Sequence, residues 1–387
     1  MVSIEEALKI IVSQTVTLTT RSETLTKAVG HHLSTSVVSP FDLPPFDNSA
    51  MDGYAICGEA DTYEITGEIA AGNTEDHRLT VGNAMRIFTG SKVPKNATAV
   101  IMQEKVEVSG NTLIIEDAIA AGKNIRPKGG ELSEGQQVFD VGHLISPASV
   151  GVLGSLGLDT VEVYEKPKIR IISTGNELIQ PGEVRKEGQI YESNSHALTA
   201  ALSQHGFDCM EKRQIHDDFE AIKNGIGQYL EKSDVVLLSG GISVGDYDFV
   251  QQALIDNGVE ELFYKIYQKP GKPLFFGRKE NKFVFALPGN PASSLSCFYV
   301  YVLPLLQKLS GSKQPGLLRV NMALTHDYDF KSDRPSFLKA HIADHSVEIL
   351  DGQSSSMIHT MALGNALALL SRPKLYKAGD MIECILI

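Results

Sequence analysis

The chain has 387 residues, more than one hydrophobic core commonly supports, so two to four domains are expected. Its 42% hydrophobic and 21% charged content excludes a disordered chain, and its formal net charge of -12 argues against nucleic acid or an anionic membrane surface as partner. Cys57, Cys209, Cys297 and Cys384 lie far apart without a CxxC pair, which indicates neither a thiolate zinc site nor a disulfide framework.

Ile4, Ala7, Leu8 and Ile11 recur at helical spacing beside Glu5 and Glu6, so the first residues predict an amphipathic helix and not a signal sequence. The longest apolar run, 298–306, is too short to span a bilayer, and a cytoplasmic protein is expected. Thr- and Ser-rich extended residues lead to a break at Pro40, Pro44 and Pro45. Short β-branched segments at 63–69, 84–88, 99–108 and 112–115, separated by Gly or Asn turns, predict a mostly β module. Residues 132–163 include a short helix within 147–157, and their return onto the N-terminal helix would make the first domain discontinuous, with the β module inserted in it.

From Lys166 strands and helices alternate: strand 169–173, helix 193–205, strand 208–215, helix 219–231, strand 234–238 and a helix near 249–256. Strands at 262–267 and 282–287 and a helix over 291–309 complete a layered α/β domain. Residues 311–316 read as a linker, and short strands follow. The expected boundaries are 1–40 with 135–165, 41–134, 166–311 and 312–387.

Three polar loops, STGNE at 173–177, SGGISVGDYD at 239–248 and PGNPASS at 288–294, each follow an apolar strand. Ligands of open α/β sheets bind beyond the carboxyl ends of the strands, so parallel strands would bring these loops to one edge. Gly240, Gly241 and Gly245 would let backbone N–H groups approach an anion, while Asp246 and Asp248 offer oxygen ligands for a cation such as Mg2+. A Gly-rich turn capped by Asp248 explains the same residues equally well. Ser293 and Ser294 open a helix whose N-terminus suits anions, although an ordinary strand-to-helix turn fits too. Lys265, Lys269 and Lys272 cluster around KPGKP in an acidic chain and could hold oxyanion charge or face solvent. Glu177, Asp217 and Asp218 add carboxylates at strand ends, where helix capping is the alternative role, and the histidines show no recurrent metal spacing.

PPFDNSAMDGYA at 44–55, FTGSKVP at 88–94, STGNEL, GQIYESN at 188–194, SGGISVGDYD, KPGKP and PGNPAS occur here in the order seen in the molybdopterin molybdenumtransferase family, which the chain resembles over nearly its whole length. The resemblance implies four domains: a mixed N-terminal domain, an inserted β-rich domain, an α/β domain similar to molybdopterin adenylyltransferase and a small C-terminal β-barrel. It implies a cytoplasmic homodimer, with the adenylyltransferase as upstream partner, that inserts molybdate into adenylated molybdopterin and releases AMP with a divalent cation, Mg2+. The catalytic residues so implied are Asp52, Glu177, Asp217, Asp248, Lys265 and Lys269, of which Glu177, Asp217 and Asp248 would hold the metal. Substrate would be bound by Thr89, Gly240, Gly241, Ser243, Lys272, Pro288, Gly289, Asn290, Pro291, Arg334 and Ser355. The chain departs from many relatives in carrying Asn176 in place of Asp, and Glu131 in place of a shorter acid, both of which bear on the metal arrangement. Two other functions compete with this reading: an adenylyltransferase one step earlier, and a scaffold of the same fold without turnover. The MDGYA module and the strand-rich C-terminus favour the insertase over the first, and the retained carboxylates and lysines favour it over the second.

Overall fold

The computed structural model describes residues 1–14, 16, 19–117, 119–242 and 249–387. The chain divides into two compact units, one of residues 1–22, 30–34 and 162–387, the other of residues 23–29 and 35–161.

The first unit is built on a six-stranded sheet in the order Cys209–Ile215, Ile169–Thr174, Val235–Ser239, Lys282–Leu287, Phe275–Lys279, Glu260–Tyr264. The first four strands run parallel, and the last two are antiparallel to their neighbours. Val235–Ser239 is buried along its whole length, because helices cover both faces of the sheet. On one face Ile171, Leu237 and Phe285 pack with Leu198, Leu202, Phe298 and Leu305 of helical segments. On the other, Ile172, Leu238 and Val284 meet Ile222, Ile226 and Leu254 from Phe219–Lys232 and Phe249–Asp256. The predicted 291–309 helix is continuous but changes winding, with a π segment at Phe298–Val302 between two α-helical stretches. The strand Phe275–Lys279, hidden in the sequence behind KPGKP, is an addition.

Helix Ile4–Val12 starts with a capping box, in which Ser3 Oγ accepts from the Glu6 N–H and the Glu6 carboxylate accepts from the Ser3 N–H. Its buried face, Ile4, Ala7 and Ile11, joins the α/β core, while helix Pro147–Ser155 belongs to the second unit.

The C-terminal strands Arg319–Leu324, Ser346–Ile349, Ser336–Ala343, Ala366–Leu370 and Met381–Leu386 close into a barrel. Strand alternation gives the barrel two packing surfaces. Leu338, Ala340, Ala368 and Cys384 fill its interior, whereas Phe337, Leu367 and Ile385 join the core of the α/β domain.

In the second unit six strands follow the order Ala99–Met102, Gly53–Ile56, Asn83–Ile87, Thr62–Ile69, Thr112–Ile115, Val106–Ser109. The predicted strand 99–108 is two strands at opposite edges of this sheet, joined by the short 3-10 helix Gln103–Lys105. A three-residue connection spans only about 10 Å, so the sheet rolls until its edges approach. Gly53, paired with Met102, has no room for a side chain: a Cβ there would lie 1.7 Å from the Ile101 carbonyl oxygen. No helix among the described residues is long and apolar enough to cross a membrane.

Candidate active site

Because four strands of the α/β sheet are parallel, the loops after Thr174, Ile215, Ser239 and Leu287 all leave at one edge. The antiparallel strand Phe275–Lys279 begins at that same edge, since Phe275 pairs with Ala286, and so delivers the KPGKP loop there. Barrel strand Ser336–Ala343 adds a further wall: the Lys269 N–H donates to the Pro335 carbonyl at 2.9 Å and the Phe337 N–H to the Lys269 carbonyl at 2.8 Å. The result is a cavity of about 1250 Å³.

Glu177, Asp217, Gly240, Gly241, Lys269 and Lys272 line this cavity. Pro288, Gly289, Asn290, Pro291, Arg334 and Ser355 line it as well. Close approach of the loops requires glycine at 240, where φ is +95° and a Cβ would stand 2.5 Å from the Thr174 carbonyl oxygen. Asn290 donates from Nδ2 to Ser355 Oγ at 3.0 Å, and the Ser293 N–H donates to the Ser355 carbonyl at 3.3 Å. Arg334 donates to the Gln268 carbonyl at 3.5 Å, which leaves most of its guanidinium donors for other acceptors.

Asn176 accepts from the Asp217 N–H through Oδ1 at 3.1 Å and so links the first two strand-end loops. Among the described residues no three His, Cys, Asp or Glu side chains stand close enough to form a metal cage by themselves. Ser243, Asp246 and Asp248 lie outside the described residues.

Lys265 does not join the cavity lining. Its φ of +67° turns the chain, and its ammonium lies 4.5 Å from the centroid of the Tyr264 ring. Asp52 and Thr89 are in the second unit, where antiparallel pairing of Gly53 with Ile87 brings them together. Thr89 donates to Asp52 Oδ1 from its N–H at 2.7 Å and from its hydroxyl at 2.9 Å. These two donors, the backbone one foremost, hold the Asp52 carboxyl below its usual pKa.

Several cavity residues carried no assigned role in the sequence. Asn194, the last residue of GQIYESN, donates from Nδ2 to Ser239 Oγ at 2.8 Å and to the Gly289 carbonyl at 2.7 Å, tying two strand-end loops together. Glu192, 1% exposed, accepts from the Ser195 N–H at 2.8 Å and caps the start of the following helix. Gln268 is buried behind KPGKP, donates to the Pro270 carbonyl at 2.9 Å and accepts from the Tyr301 hydroxyl. The motif position of Asn194 was a signal for it; Gln268 had none beyond its place next to Lys269.

Residues 2–157 match the family described as MoeA N-terminal region (domain I and II), and residues 170–308 match the probable molybdopterin binding domain. The chain is 33% identical over 383 residues to molybdopterin molybdenumtransferase 2 of Mycobacterium tuberculosis, covering 93% of this chain and 91% of that one. It is 35% identical to the molybdopterin molybdenumtransferase of Haemophilus influenzae over 295 residues, 75% of this chain and 73% of the relative. A solved structure of the molybdopterin biosynthesis moeA protein from Pyrococcus horikoshii superposes with a TM-score of 0.86 at 29% identity and covers both chains completely. With matched regions over most of its length and relatives above 30% identity spanning it, the chain belongs to the molybdopterin molybdenumtransferase family.

Proposed function

We propose that the chain is the enzyme that inserts molybdate into adenylated molybdopterin and releases AMP. The observation that carries this is the single cavity in which Lys269, Lys272 and Arg334 face the same space as Glu177 and Asp217. Both substrates are anions. Lysine and arginine side chains in the lining and N–H groups of the Gly240–Gly241 loop supply the charge and donors that bind them, in a chain whose net charge would otherwise repel them. No protein nucleophile is required: attack on the phosphoanhydride comes from water, and the chain's part is to orient the phosphates and stabilise the charge that moves to the leaving AMP.

Mg2+ commonly takes one or two carboxylates together with substrate phosphates, and Glu177 and Asp217 meet that demand without a complete protein cage. With Asp248 they form the proposed metal set; bound there, the ion would neutralise phosphate charge. Asp52 and Thr89 of the second unit, and Lys265 and Ser243, retain the roles that family membership implies, as part of the same proposal. So do the cytoplasmic homodimer, the adenylyltransferase as source of the adenylated substrate and the four domains with boundaries at 1–40 with 135–165, 41–134, 166–311 and 312–387.

The test is molybdate-dependent release of AMP from adenylated molybdopterin by the purified chain. Consumption of ATP with molybdopterin alone would assign the preceding adenylyl transfer in its place. Glu177→Ala and Asp217→Ala are expected to keep the fold and to lower Mg2+-dependent AMP release by about a hundredfold each. Unchanged release in both would remove them from the metal set.

A further inference from the structure

Lys339 stands on barrel strand Ser336–Ala343, whose alternation places it on the same side as Phe337, the face that packs on the α/β core. It is only 4% exposed. A buried ammonium is unfavourable unless its donors are satisfied, and here all three are used on backbone carbonyls: Gly352 at 2.7 Å, Ser354 at 2.9 Å and Met357 at 3.0 Å. Burial pulls its pKa below the usual lysine value. The site thus keeps a poorly solvated cation whose partners are neutral and belong to one loop.

That loop is held from two more directions. Gln353 accepts from the Lys339 N–H at 2.9 Å and donates to the Lys339 carbonyl at 2.8 Å. On the far side Ser355 takes its bonds from Asn290 and Ser293. Gln353, Ser354, Ser355 and Ser356 line the cavity, whereas Lys339 does not. In a trans peptide the C=O and N–H point in opposite directions, so drawing the Gly352 and Ser354 carbonyls toward Lys339 turns the N–H groups of Gln353 and Ser355 away from it.

We propose that Lys339 is a positioning residue of the molybdate-insertion site: it fixes the 352–357 loop so that Ser355 and the outward N–H groups face the oxyanion, with a buried positive charge behind them. This rests on the function proposed above. Removing the ammonium takes the charged donor from all three carbonyls, of which that of Ser354 also accepts the Met357 N–H at 3.1 Å, and loosens the loop's peptides.

The experiment compares the full-length chain with Lys339→Met, Lys339→Gln and Lys339→Arg, measuring KM for molybdate, kcat for AMP release and hydrogen–deuterium exchange across 352–357. Loss of a three-point charged anchor is expected to raise the molybdate KM about tenfold or more in Lys339→Met, with kcat changed less than about threefold. Exchange should rise in 352–357 and stay unchanged in the α/β sheet. Lys339→Arg should recover part of the KM, because it restores charge without the compact ammonium geometry. A molybdate KM equal to wild type, or a raised KM with exchange at 352–357 unchanged, overturns the proposal. Should Lys339→Met fail to fold, Lys339→Gln carries the same two readouts. A wild-type chain with no molybdate-dependent AMP release would overturn the function itself, and the exchange comparison would still decide whether Lys339 holds the loop.

Discussion

Lys269 and Lys331 carry the same group in different surroundings, and surroundings decide what a charge does. Lys269 lines the cavity, its backbone locked to the barrel strand through Pro335 and Phe337. The Lys331 side chain is 82% exposed and pairs with Asp329 at 3.2 Å. A fixed charge beside an anionic substrate acts in reduced dielectric, while an exposed pair is screened by solvent. Lys269→Ala should therefore slow molybdate-dependent turnover by at least about tenfold, and Lys331→Ala by less than about twofold. Equal rates for the two variants would return Lys269 to the role of a solvated side chain. The sequence offered Lys265, Lys269 and Lys272 as one cluster, and the fold separates them: Lys265 takes a positive φ and its ammonium lies 4.5 Å from the Tyr264 ring centroid, whereas Lys269 and Lys272 line the cavity. Local spacing carries no record of such a turn.

Elements were legible where periodicity had one cause. Three of the four parallel strands read as continuous apolar runs and Phe219–Lys232 as an amphipathic helix, which is enough to put the loops that follow those strands on one edge; the edge strand Cys209–Ile215, CMEKRQI, is the polar exception. The strand 99–108 misled because its two halves share β-branched composition while their hydrogen bonds go to opposite edges of the rolled sheet. Phe275–Lys279 was masked by the turn chemistry just before it. In the β unit, tertiary charge also fixes a loop: Asp76 accepts from Lys92 at 2.5 Å and Lys95 at 2.7 Å. The Lys92 bond, then the Lys95 bond, lower its carboxyl from 3.8 to about 2. Because the folded carboxyl holds its proton less tightly than the unfolded one, these bonds stabilise the fold above the unfolded value and lose that effect as pH falls from 3.8 toward 2. Asp76→Asn should melt below wild type at neutral pH, and the difference should shrink across that acid window. A gap in melting temperature that does not narrow on acidification would remove this pair of bonds from the stability of the unit.

At the scale of the molecule, the sequence marked 311–316 as a linker and so suggested that the C-terminal strands form a module of their own. The packing shows a dependence that hydrophobic pattern could not reveal, since a residue on the outer face of a barrel strand looks the same whether it meets solvent or another domain. Phe337, Met361, Leu367 and Ile385 are each at most 4% exposed and belong to the same apolar cluster as Phe298, Leu305 and Leu306 of the α/β domain. Burial of one such side chain contributes roughly 1.5–3 kcal/mol, so the four together amount to about 6–12 kcal/mol, comparable with the whole stability of a typical domain. The barrel also supplies Arg334 and the 353–356 wall of the cavity. A chain ending at residue 311 should consequently expose the π-helical segment and its neighbours, bind a hydrophobic dye in the native buffer and unfold at least about 10 °C below the full chain. If the shortened chain instead unfolds cooperatively at the temperature of the full one, the shared cluster contributes nothing to the α/β fold, and the barrel's part is confined to the wall it gives the cavity.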